Sequence, residues 1–119
     1  MRLDKLEWCW QESLCIKFSL GQPEILLLEF PPDLVVEVIS PDESQRQIED
    51  KLTDYQTIGV NECWLVRPNP RTVEVIQFTS GAIQSIGVFK STEMIESKVL
   101  PQLVLSVDII FAPPDFLKW

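Results

Sequence analysis

The chain has 119 residues, of which 45% are hydrophobic and 24% charged, the balance of an ordinary globular protein rather than a disordered one. Histidine is absent, which excludes Ser-His-Asp and Cys-His catalysis and every histidine-based metal site. A net charge of −8 argues against a broad basic face for nucleic acid, while a compact carboxylate site would be offset locally by a bound cation.

Residues 7–19 contain two short β-like runs with partial alternation, and Trp8 and Trp10 would share a face there as core or interface anchors. Gly21-Gln-Pro is a turn, Glu24 to Phe30 a strand, and Pro31-Pro32 a break before the next strand, Leu34 to Ile39. The simplest arrangement pairs those two strands antiparallel across Phe30-Pro-Pro-Asp33. The second is β-branched and apolar on both faces, the pattern of a fully buried strand, interrupted only by Glu37. A side-chain period of two places Asp33, Val35, Glu37 and Ile39 on one face.

A helix is predicted from Ser40 to Gly59. Ser40 is the N-cap, Pro41 the first helical residue, Glu43 the far side of a capping box and Gly59 the stop. At about 100° per residue, Ile48, Leu52, Tyr55 and Ile58 form one apolar arc, and Lys51 projects inside it. A lysine facing a core needs an anionic partner, and Glu37 on the preceding strand is in reach. As a structural device, such a pair would fix helix against sheet. Buried ion pairs often add little net stability, so a functional role stands beside the structural one.

Strands are predicted at Glu62–Arg67, Thr72–Phe78 and Ile83–Phe89, with Pro68–Arg71 as a turn. A polar stretch covers 91–98, and a short helix capped by Ser106 covers 106–111. Glu12, Glu29 and Glu62 read as surface or strand-end charges. The order of elements specifies an α+β fold, a mixed sheet with a packed helix, as a single domain over residues 1–119. No run approaches the roughly 18 apolar residues of a membrane helix, and the N-terminus lacks a signal-peptide core. Three scattered cysteines read as reduced thiols. The expectation is a cytoplasmic protein with no membrane partner.

The strings Pro32-Asp-Leu-Val-Val-Glu-Val-Ile-Ser-Pro41, Lys51-Leu-Thr-Asp-Tyr55, Gly59-Val60 and Cys63-Trp-Leu-Val66 together closely resemble the Uma-type family of putative restriction endonucleases, a branch of the PD-(D/E)XK nuclease superfamily. Arg71-Thr-Val-Glu-Val-Ile76 and the ending at Leu100–Phe111 extend the likeness over residues 22–112. The resemblance implies a restriction-endonuclease-like core and a metal-dependent DNA endonuclease, with Mg²⁺ or Mn²⁺ as cofactor and a homodimer or higher homo-oligomer as assembly. It nominates Glu37 and Lys51 as catalytic, the lysine having moved from strand to helix, since Ile39 occupies the usual lysine position. The metal acids would be Glu24 and Glu37, Glu24 standing where relatives have aspartate. Asp33 is the competing acid, read as a turn residue, and Gln56, one helical turn beyond Lys51, is a candidate for polar support. Relatives begin with a longer N-terminal region, so the chain reads as N-terminally shortened. The alternative function is an inactive nuclease fold serving as an interaction or dimerisation module.

Overall fold

The computed structural model describes the backbone of two strands, Lys5–Trp10 and Leu14–Ser19, and all of residues 31–112. The first strand, β1, and the second, β2, fall where the two β-like runs are expected and pair antiparallel, with Lys5 opposite Ser19 and Trp10 opposite Leu14. Four further strands follow: β3 (Leu34–Val38), β4 (Glu62–Arg67), β5 (Thr72–Thr79) and β6 (Ala82–Lys90). All six lie in one sheet in chain order. The β2–β3 and β3–β4 pairs are parallel, and the β4–β5 and β5–β6 pairs antiparallel. The fold is therefore α+β with a mixed sheet.

Both hydrogen-bonding edges of β3 are filled by parallel strands, β2 and β4. This replaces the expected antiparallel pairing at Phe30–Asp33. Local turn signals cannot reveal a pairing between strands that are not adjacent in sequence. The expected strand Glu24–Phe30, the side chains of Trp8 and Trp10, and Glu24 itself lie outside the described residues.

The helix α1 covers Gln45–Ile58, later than predicted. The sequence contains two successive capping boxes, and the second one starts the helix. Ser44 Oγ accepts from Gln47 N–H, and Gln47 Oε1 accepts from Ser44 N–H. Of the first box only the Glu43 half is formed, and it closes a separate turn, with Ser40 Oγ accepting from Asp42 N–H instead. Glu43 N–H donates to the Ser40 carbonyl at 3.0 Å, and Ser40 N–H donates to Glu43 Oε1 at 3.0 Å. Gly59 ends α1 at φ +96, the left-handed conformation glycine adopts without steric cost. A Cβ there would also lie 3.3 Å from Pro31 Cγ.

Parallel β3 and β4 are joined by α1, which packs Ile48, Leu52 and Tyr55 onto one face of the sheet against Val35, Ile39, Cys63, Leu65, Ile76 and Phe78. The opposite face carries Leu34, Val36, Trp64, Val66, Val73 and Val75. It is covered by the segment after β6 through Ile95, Val99, Leu100, Leu103 and Val107, the last at the start of α2 (Val107–Phe111). Ser106 takes the expected N-cap position of α2 without a side-chain capping bond. Covering on both faces explains why β3 and β4 read as continuous apolar runs. Among the described residues no helix is long and apolar enough to cross a membrane.

Candidate active site

Strand β3 points every second side chain at α1, and Glu37 is among them with no solvent-accessible surface. A carboxylate in that position needs donors for its oxygens. Lys51 reaches down from α1, and its Nζ donates to Glu37 Oε1 at 2.9 Å. Tyr55, one turn further along the same helix face, donates its hydroxyl to Glu37 Oε2. Lys51 Nζ also donates to Glu43 Oε2 at 2.8 Å. The lysine thus joins a buried carboxylate on the strand to a largely buried one in the turn before α1.

Two of these contacts go beyond the sequence reading. The sequence pattern makes Glu43 a helix-capping residue; it does accept from Ser40, but its other oxygen holds Lys51. That second role becomes possible because the helix starts at Ser44, leaving Glu43 in the turn. Tyr55 belongs to the predicted apolar arc, but its phenol is also the second donor to Glu37. The one available signal was that a tyrosine buried beside a carboxylate is expected to spend its hydroxyl on it.

Burial pushes the Glu37 carboxyl above its ordinary range; the Tyr55 and Lys51 hydrogen bonds pull it back without cancelling the effect. For Glu43 the order reverses. Its partial burial is outweighed by the Lys51 and Ser40 hydrogen bonds, and its carboxyl is held low. Desolvation disfavours the Lys51 ammonium, but bonds to Glu43 and Glu37 outweigh it and raise its pKa. Burial, then the Glu37 charge, pushes the Tyr55 phenol far above its usual range, so it remains a donor.

These directions set a pH dependence for the metal-free protein. Between the ordinary 4.5 of an unfolded glutamate and the raised value of Glu37, the native state binds a proton that the unfolded state does not. The Glu37 contribution to stability is therefore present in acid and lost as pH rises through that interval. Glu43 acts in the opposite sense: its contribution is present above 4.5 and lost as pH falls through its lowered value. In urea unfolding across this range, Glu37→Gln should abolish the part of the profile in which stability falls with rising pH. An unchanged profile would show that Glu37 is not the group responsible.

Residues 19–108 match the Uma2 family, described as a putative restriction endonuclease. The chain belongs to that family. Among solved structures it is similar to a putative nuclease belonging to DUF820 from Anabaena variabilis, at 22% identity and a TM-score of 0.57. The likeness covers 82% of this chain, and this chain spans 57% of the length of that one. It shows the shared fold. No curated protein matches the sequence.

Within the Uma2 fold the other nominated residues are placed as follows. Asp33 accepts from Asn61 Nδ2 at 3.1 Å, and its carbonyl accepts from Glu62 N–H, which suits its reading as a turn residue. Gln56 donates its amide to the Thr79 carbonyl at 3.1 Å, tying the end of α1 to the end of β5. Glu24 lies outside the described residues. Among those described, no group of three or more Asp, Glu, His or Cys stands together as a metal cluster.

The reading of Glu62 as a surface or strand-end charge is corrected. Glu62 is as inaccessible as Glu37, on the opposite face of the sheet. Its Oε2 accepts from Trp64 Nε1 and Ser97 Oγ, and its Oε1 from the backbone N–H groups of Lys98 and Val99. The segment it holds has little regular structure, and its part-buried Lys98 and Val99 N–H groups take this side chain as their acceptor.

Proposed function

We propose that the protein is a metal-dependent nuclease acting on DNA, with Glu37 and Lys51 as its reactive pair. The observation that supports this most directly is Lys51, inward-facing on α1 and held between two carboxylates at 2.9 and 2.8 Å in a fold of the Uma2 family. Clustered carboxylate oxygens are the donors that Mg²⁺ or Mn²⁺ takes, and Mg²⁺ commonly binds one or two carboxylates and fills its remaining positions with water. Glu37 and Glu43 fit that chemistry. Glu37, together with Glu24 as nominated by the family resemblance, would hold the ion. When bound, such an ion acidifies a water molecule and polarises a phosphoryl oxygen.

The residues of the chain then have separate tasks. Lys51 supplies a fixed positive charge beside the charge that develops on the phosphoryl group. Tyr55 fixes the orientation of the Glu37 carboxylate by holding Oε2, and Glu43 holds the lysine from the outer side.

One observation favours the alternative of an inactive nuclease-fold interaction module: Glu37 has no exposed surface, and both its oxygens already accept hydrogen bonds. Calorimetric titration of Mg²⁺ or Mn²⁺ into the wild type and Glu37→Gln, followed by plasmid cleavage, separates the two readings. The nuclease reading expects binding and cleavage that the variant loses. A folded wild type that binds neither ion and cuts no plasmid would establish the module instead.

A further inference from the structure

A cleft of about 300 Å³ opens where β3 and β4 end, and its wall includes Ser40, Glu43, Gln45, Arg67 and Asn69. Glu43 belongs both to this wall and to the Lys51 site. The cleft therefore adjoins that site through Glu43. Arg67 lines this cleft as Glu43 does. On β4 it shares the α1-facing side of the sheet with Leu65, which is in register with Glu37. Arg67 comes two residues later, so its Cα lies on the order of 8 Å from that of Glu37 on standard strand spacings.

The guanidinium of Arg67 is held by a carboxylate on the neighbouring strand, β5. Its Nη1 donates to Glu74 Oε1 at 3.1 Å. Glu74 is itself held on its other oxygen by Ser85 Oγ at 2.8 Å, so the carboxylate is drawn toward β6. Arginine carries five N–H donors in a rigid fork, and a single bond to Glu74 orients the fork while leaving other donors available. In a chain of net charge −8, a cation lining an open cleft beside a carboxylate–lysine site stands against the overall field.

We propose that this cleft seats a phosphodiester group of the nucleic-acid strand next to the Lys51 site, with Arg67 as the residue that binds it. The proposal rests on the nuclease reading above and adds to it the residue that takes hold of the substrate. The volume suits one phosphate and its sugar, so Arg67 grips the backbone and reads no base. Bidentate contact with phosphate oxygens is the geometry in which arginine exceeds lysine. Arg67→Ala should therefore weaken binding across all sequences and leave the chemical step in place.

The test uses a short fluorescein-labelled duplex, with anisotropy read over a salt series in EDTA and in Ca²⁺, together with steady-state cleavage in Mg²⁺. Arg67→Ala is expected to lose about tenfold in affinity and about one unit of the log–log salt slope, with KM raised and kcat within about twofold. Arg67→Lys should keep the slope and recover only part of the affinity, because the charge remains and the fork is lost. Glu74→Gln keeps Arg67 and should bind at least as tightly as wild type. These two variants carry the test if Arg67→Ala does not fold. A wild type that cuts DNA while the Arg67 variants match it in KM and salt slope removes the Arg67 assignment alone. A wild type that neither binds nor cuts nucleic acid with any of these ions overturns the nuclease reading and this proposal together.

Discussion

Replacing Glu62 with glutamine is expected to lower the unfolding free energy by about 2–4 kcal/mol, a large loss for an isosteric change. The carboxylate accepts four hydrogen bonds, two on each oxygen, with no access to water. An amide can accept on one side only. With its NH₂ toward the loop, it opposes the N–H groups of Lys98 and Val99. Turned the other way, it opposes Trp64 Nε1, and only Ser97 Oγ can adapt by rotating its hydroxyl. Each arrangement leaves at least one buried or part-buried donor unsatisfied and removes the charge that strengthened all four bonds. Urea unfolding of the two proteins measures the difference, and hydrogen exchange at residues 97–100 should show the local loosening. A change below about 1 kcal/mol would mean that the 91–106 segment does not depend on this carboxylate for its placement.

Glu62 and Glu37 show which part of the structure is legible in the sequence. Glu37 lies within, and Glu62 opens, an apolar strand buried on both faces, and the same period-two reasoning applies to each: Glu62 shares a face with Trp64 and Val66 as Glu37 shares one with Val35 and Ile39. Glu37 stands out because a helical lysine answers it. The partners of Glu62 are the indole of Trp64, two residues along the same strand, and a hydroxyl and two backbone amides 35 to 37 residues away, and none is marked by charge. Position at the first residue of a strand makes such a glutamate resemble a solvated strand end. The strand's neighbours decide otherwise.

The same distinction runs through the fold. Local signals carry β4 to β6, the two β-like runs of β1 and β2, the apolar face of α1 and its glycine stop, because each depends on residues close in sequence. The start of α1 was displaced because two boxes of equal quality, Ser40 with Glu43 and Ser44 with Gln47, stand in tandem. Tertiary contact decides between them: with the helix beginning at Ser44, Glu43 remains in the turn and reaches Lys51. The parallel partner of β3 was hidden for a similar reason, since β2 and β3 are separated by residues 20–33 and no periodicity encodes a pairing over that distance.

Lys51→Met should separate the two roles open to the Glu37–Lys51–Glu43 cluster. Methionine keeps much of the apolar stem and removes the ammonium, so packing against α1's neighbours changes little while both carboxylates lose their shared cation. Removing one partner of a fully buried pair costs about 3–5 kcal/mol. Here Lys51 and Glu43 retain 17% and 15% of their side-chain surface, which screens part of the loss, and Glu37 keeps its bond to Tyr55. The expected destabilisation at neutral pH is about 2 kcal/mol. Its pH dependence has a definite sign. Without the ammonium, the folded-state pKa of Glu37 moves further above its unfolded value, so the variant gains stability as Glu37 takes up a proton and loses it again as pH rises. The gap between variant and wild type should therefore narrow in mild acid. On the nuclease reading, cleavage falls by about 10²–10³-fold in a protein that remains folded, the loss typical of removing one electrostatic stabiliser of a transition state. Outright unfolding of Lys51→Met, with Glu37→Gln and Lys51→Met combined restoring the fold, would identify the cluster as an ion pair that holds helix to sheet. Cleavage undiminished in the folded variant would take Lys51 out of the chemistry altogether.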